Sequence, residues 1–261
     1  MKRLKCNPFK LIGFEWDLGS GTRFGPSRAC PHLKKRGLEI EQYMSCQDGL
    51  DKGRRDLRKV VSDSLHLENR RPIVIGGGRE TSLGHLQGLL DFCSSGDKLG
   101  ILNYHSHFHT RAYGTPEPTF KQIRQMCLDN SVALNYTSVG LQPFECPSSL
   151  CDQKDRYAVS EFYFDEIDVS VSHIKKVVER CDYVYLSICL DVFSGSIAPG
   201  VDSPQPFGVF PHHVLPYFEF IGNSGKLLGA DILEYNPKHD DTNEITGRLL
   251  ADIALHLVKT A

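Results

Sequence analysis

The segment Asn103-Tyr104-His105-Ser106-His107-Phe108-His109 places three imidazoles at alternate positions. In an extended chain, successive side chains point to opposite faces, so His105, His107 and His109 would share one side and converge on a metal ion. The plainer reading is a solvated cluster of histidines at a strand end. A second segment, Ser187-Ile188-Cys189-Leu190-Asp191-Val192-Phe193, puts Cys189 and Asp191 on one side by the same alternation, and the turn Ala198-Pro199-Gly200-Val201 closes it. Taken alone, Cys189 reads as a buried small hydrophobe rather than a ligand. A third segment, Gly76-Gly77-Gly78-Arg79-Glu80-Thr81, follows an apolar run. Free amides at a helix start can cradle a phosphate. Neither the P-loop lysine nor the GxGxxG spacing is present, so a tight strand-to-helix turn is the default.

These segments need elements to position them. Apolar runs at 11–14, 73–75, 99–104, 137–141, 183–190 and 226–233 read as strands. Helical periodicity fills the intervals at 56–67, 82–93, 120–128, 169–180 and 244–258, with Ser82 as the capping hydroxyl of the second. Strand and helix in alternation predict an α/β fold with a mostly parallel sheet covered on both faces. In such sheets reactive groups collect past the carboxyl ends of the strands, where all three segments fall. The polar stretch 146–155 is flanked by the same alternation, so the 261 residues read as a single domain, 1–261.

Composition narrows the function. A formal charge of −2 with intermixed signs leaves no basic face for nucleic acid or an anionic membrane surface. No run is long and apolar enough to span a bilayer, and the N-terminus lacks a secretory core. The nine cysteines have no CxxC pairs or regular spacing. They are expected to be free thiols in a reducing, cytoplasmic setting, with Cys93, Cys127 and Cys181 as core residues.

Taken together, the segments resemble the arginase (ureohydrolase) superfamily, and within it the formimidoylglutamases. The triple glycine with Glu80, Gly84 and His85 is similar to their GGGHE motif, and 103–111 to NFDAHFDLR. Residues 187–208 resemble SIDLDVxxxxxAPGVSAPxxxG, 230–237 resemble ADIxExNP, and 246–249 resemble TARL. The resemblance implies a three-layer α/β/α sandwich, assembly as homo-oligomers (trimers or hexamers), and hydrolysis of a guanidinium, amidine or formimidoyl carbon by water held between two Mn²⁺ ions. Two histidines and four aspartates normally hold that pair.

By the same resemblance Arg79 stands at the first histidine position, His105 and His109 at two aspartate positions, and Cys189 at a third. Only His107 and Asp191 keep the family's residue types. One carboxylate, at most one thiolate and a guanidinium that stays charged do not balance two divalent ions, so no binuclear Mn²⁺ site is expected. The expectation is a protein with little hydrolase activity, acting in binding, regulation or assembly, with Arg79 paired to Asp191 or Glu80. The alternative is an active hydrolase of a linear amidine C–N bond, converting formimidoylglutamate to glutamate and formamide. It would use one Zn²⁺ or similar ion on His105, His107, Cys189 and Asp191, with Arg79 and His109 in the vacated subsite. Glu234, in the 230–237 motif, is expected to face the cationic end of an amidine- or guanidinium-bearing small molecule.

Overall fold

The computed structural model describes residues 8–16, 25–46, 48–107, 119–143 and 159–259; His109 and the polar stretch 146–155 lie outside them. The chain runs β1 (Phe9–Glu15), α1 (Gly25–Lys35), β2 (Gln42–Ser45), α2 (Leu50–His66), β3 (Arg71–Ile75), α3 (Arg79–Leu90), β4 (Lys98–Tyr104) and α4 (Thr119–Asp129). It continues with β5 (Ala133–Leu141), β6 (Val159–Tyr163), α5 (Ile167–Arg180), β7 (Tyr183–Cys189), a 3₁₀ turn (Leu190–Val192), α6 (Pro211–Asn223), β8 (Leu227–Leu233) and α7 (Ile245–Lys259).

The eight strands form one sheet in the order β2-β1-β3-β8-β7-β4-β5-β6, with every pairing parallel. Parallel strands need crossovers, and the helices that make them cover both faces. Side-chain alternation divides the core accordingly. Ile73, Ile75, Leu102, Tyr104, Leu186, Ile188 and Ile232 pack in the same cluster as residues of α1, α5, α6 and α7. Val74, Leu99, Ile101, Tyr136 and Tyr185 pack with α2, α3 and α4. The central strands are buried on both faces, which is why they read as mostly apolar runs.

The expected three-layer α/β architecture is present, and the structure corrects several local expectations. β2 is an edge strand of half-buried and exposed residues, and β6 is half-buried throughout; neither has an apolar run to betray it. α1 and α6 carry Pro31 and Pro216 inside them, a residue that argues against helix in a bare sequence. α3 begins at Arg79, with Gly78 as its cap residue, so Ser82 lies inside the helix and is buried. The turn that makes this early start feasible needs glycine at 77, where φ is +72° and an added Cβ would lie 2.1 Å from Thr81 Oγ1.

Because β8 and β7 are inserted between β3 and β4, the carboxyl ends of these four strands lie side by side in mid-sheet. The glycine turn with Arg79, His105 to His107, Cys189 to Asp191, and Glu234 are thereby gathered at one edge.

Candidate metal centre

One row of the sheet is polar. Asp231 on β8 is in register with Ser187 on β7, Ser187 with Asn103 on β4, and Asn103 with Ser138 on β5. In-register neighbours of a parallel sheet point to the same face, here the one covered by α3 and α4. Arg79, the first residue of α3, lies buried against this row and donates from Nη1 to Asn103 Oδ1 at 2.7 Å. It also bonds the Tyr136 hydroxyl, while its Nε has no partner among the described residues. Burial works against its charge, but Tyr136, Cys189, Asp231 and Asp191 around it outweigh burial and hold its pKa above the ordinary guanidinium value.

The expected pairing of Arg79 with Asp191 or Glu80 is therefore replaced by Asn103 and Tyr136. Glu80, next along α3, lies within electrostatic reach of Arg54 and Cys46 instead. Asp231, fully buried, accepts from the Tyr185 hydroxyl and lies 3.5 Å from His85 Nδ1.

Beyond the row the chain leaves the strands. β4 ends at Tyr104 and β7 at Cys189, so the period of two expected to align the histidines, and to align Cys189 with Asp191, does not continue. A bend at 106–107 and the 3₁₀ turn bring a different set together. Donor atoms of His105, His107 and Asp191 all lie within 4.8 Å of one another, in a grouping that could hold a metal ion. Asp191 Oδ2 is 3.2 Å from His105 Nε2 and 3.1 Å from His107 Nδ1. The Ser106 hydroxyl also contacts His107 Nδ1 at 2.7 Å, and the Ser106 amide points at Asp191 Oδ1 at 3.4 Å.

His105 Nδ1 lies 2.5 Å from the carbonyl oxygen of His107. A carbonyl only accepts, so Nδ1 carries a proton and Nε2 is left facing Asp191. Burial pushes the His105 pKa down, and Arg79 and His107 add to that while Asp191 opposes it. Burial alone would raise Asp191, but the charges and hydrogen bonds of His105 and His107 bring its pKa well below the ordinary carboxylate value.

Cys189 stands outside this trio. Its buried thiol is pushed well up, first by burial and then by Asp191 and Glu234, with Arg79 pulling the other way. Arg79, Asn103, His107, Phe120, Tyr136 and Ser138 are among the walls of a small cleft of about 10 Å³, room for about one water.

A family profile described as Arginase family matches residues 7–259. The chain belongs to the arginase family. Among curated relatives, a formimidoylglutamase of Geobacillus sp. (strain WCH70) is 30% identical over 259 residues, covering 91% of this chain and 79% of the relative. One of Vibrio cholerae serotype O1 is 32% identical over 282 residues, covering 94% and 82%. Among solved structures, formimidoylglutamase of Bacillus subtilis subsp. subtilis str. 168 superposes with a TM-score of 0.79 at 18% identity, covering 96% of this chain and 86% of that one. Arginase of Bacillus caldovelox gives 0.78 at 19% identity, covering 97% and 98%. These likenesses establish the arginase-type fold.

In this arginase-family chain Glu234 closes β8 with φ +66°, a left-handed conformation that costs a non-glycine residue on the order of 1 kcal/mol. Its amide donates to the Gly77 carbonyl at 3.0 Å, tying the strand end to the glycine turn. Its charge acts on Cys189, which puts Glu234 within electrostatic reach of the site. Sequence reasoning passed over Asn103, Tyr136 and Asp231 as functional positions. The available signal was a polar residue near the end of each central apolar run: Asp231, Ser187, Asn103 and Ser138. Among the described residues, no helix is long and apolar enough to cross a membrane, and the six described cysteines are free thiols.

Proposed function

We propose that this chain holds one divalent ion of the zinc type on His105, His107 and Asp191, and hydrolyses an amidine C–N bond of the kind in formimidoylglutamate, giving glutamate and formamide. The His105 ring carries the proposal. With Nδ1 donating to a backbone carbonyl, Nε2 and Asp191 Oδ2 face each other at 3.2 Å, a gap that a bound cation would bridge. A ligating histidine that gives its other N–H to a backbone carbonyl is the usual arrangement at metal sites.

Two nitrogens and one carboxylate suit a catalytic zinc site, in which three protein ligands leave a position open. A manganese pair does not fit the described residues. The buried Arg79 guanidinium brings its own charge, and the described group of potential ligands contains one carboxylate, Asp191. When bound, the ion supplies the Lewis acidity that makes water nucleophilic near neutral pH. Glu234 would attract the cationic amidine end, and its strained backbone, of the kind kept at functional sites, supports that role. The free cysteines agree with a reducing, cytoplasmic location.

A second reading, a binding or regulatory protein without turnover, is favoured by the side chain of Arg79 and its partners, which leave room for about one water beside His107. Elemental analysis of tag-free protein combined with a formimidoylglutamate assay separates the two. About one zinc per chain with zinc-dependent formamide release supports the hydrolase. No metal retained after incubation with excess Zn²⁺ would sink it, and bound zinc without turnover of linear amidines would favour the binding protein.

A further inference from the structure

At the opposite edge of the sheet, where β3, β7 and β8 begin, lies a cavity of about 550 Å³. These strands are five to seven residues long, so it is roughly 20 Å from the metal centre. Leu65, Phe92, Tyr183 and Leu228 contribute apolar wall, with Phe92 and Tyr183 edge to face at 5.8 Å between ring centres. Three cations, Arg70, Arg71 and Lys226, line it, and among the described residues no acid does.

The three cations are not equivalent. Arg70 is neutralised, with two 2.6 Å bonds to the carboxylate of Glu41 and Glu68 close by. Lys226 spends its ammonium on the carbonyls of Glu179 and Cys181, each at 2.8 Å. Arg71 has a 3.3 Å bond to the Gly225 carbonyl and sits 5.9 Å from the centre of the Phe9 ring. Among the described residues no carboxylate pairs with it. Burial accordingly lowers its pKa from the ordinary guanidinium value, the mark of a cation drawn from water without a counter-charge.

We infer that this cavity is a binding site for a small organic monoanion with an apolar body, its carboxylate on Arg71 and its hydrocarbon against Leu65, Phe92, Tyr183 and Leu228. The size is that of ordinary small-molecule sites, and apolar walls with one fixed charge set ligand orientation. Of the three cations, Arg71 is the one with a single hydrogen-bond acceptor and no carboxylate among the described residues, so its guanidinium fork is left to match one carboxylate. A polyphosphate would leave most of its charge against hydrocarbon.

The test uses full-length protein and 4-phenylbutyrate, followed by isothermal titration calorimetry, with 4-phenylbutanol as the uncharged counterpart. Wild type is expected to bind 4-phenylbutyrate at one saturable site and the alcohol at least tenfold more weakly. Arg71→Leu should lose at least tenfold in affinity for the acid and little for the alcohol, with an unchanged circular dichroism spectrum. Should Arg71→Leu misfold, Arg71→Lys must retain saturable binding of the acid. Equal binding of acid and alcohol, unchanged acid affinity in Arg71→Leu, or no saturable binding at millimolar 4-phenylbutyrate would each overturn the inference.

Discussion

Replacing Arg79 by Met should tighten the binding of Zn²⁺. Arg79 and His107 wall the same cleft, one water wide, so a guanidinium and an ion on His105, His107 and Asp191 repel across a short, poorly solvated gap. For a unit charge and a dication separated by about 7 Å at an effective dielectric of 20, the repulsion is about 5 kcal/mol. Relaxation and water entry bring this toward about 2 kcal/mol, which still corresponds to roughly 30-fold in affinity. Methionine keeps much of the apolar stem while removing the charge, leaving Asn103 Oδ1 and the Tyr136 hydroxyl as the groups to be rehydrated. Competition against a fluorescent zinc chelator at pH 7.5 would read the change, with Arg79→Lys as a control that retains the charge. At least tenfold tighter binding in Arg79→Met, and little change in Arg79→Lys, is expected. A folded Arg79→Met protein with unaltered or weaker zinc affinity would refute the placement of the ion beside the guanidinium.

Other perturbations follow from the same geometry. Tyr185→Phe removes a hydrogen bond from buried Asp231, costing about 2 kcal/mol and lowering the melting temperature by roughly 5 °C in calorimetry. Gly140→Ala introduces a Cβ 2.2 Å from Val192 Cγ2 at φ +89°, so it should destabilise by about 2 to 4 kcal/mol and weaken zinc binding by displacing the turn that holds Asp191. Glu234→Gly relieves left-handed strain and should raise the melting temperature by roughly 2 °C while abolishing amidine turnover. His105 has a lowered folded pKa, so below 6.5 the unfolded metal-free chain takes up a proton that the folded one refuses. Its share of stability, complete at neutral pH, should fall by up to about 1.4 kcal/mol per pH unit on acidification, a slope missing from urea titrations of His105→Gln.

The central strands were legible in the sequence because burial on both faces leaves mostly apolar runs such as Leu227–Leu233, all buried and with Asp231 as the one charged residue. The edges were not, since β2 and β6 need only half-bury their residues and pair on one side. α1 and α6 were hidden by Pro31 and Pro216, whose cost is met by tertiary packing that no local rule sees. At the site, the residue types of His105, His107 and Asp191 pointed to a metal, but alternation was the wrong reason for their meeting. The chain leaves the strand before each of them, and a bend and a 3₁₀ turn do the gathering. Cys189, the last residue of β7, is buried there and lies outside the grouping of His105, His107 and Asp191. The partner of Arg79 was missed because Asn103 is neutral and far along the chain, visible only once β4 and β8 are set in register through β7.

The Arg79 guanidinium is part of the polypeptide, and that changes the supply of positive charge at this end of the sheet. A diffusible cation is present only at the concentration its surroundings allow, and it can be stripped by chelators or displaced by competitors. Arg79 is held beside the polar row at a fixed, permanently high effective concentration, closed within the first turn of α3. This half of the centre keeps its charge through metal starvation, whereas an ion proposed at His105, His107 and Asp191 would come and go with supply.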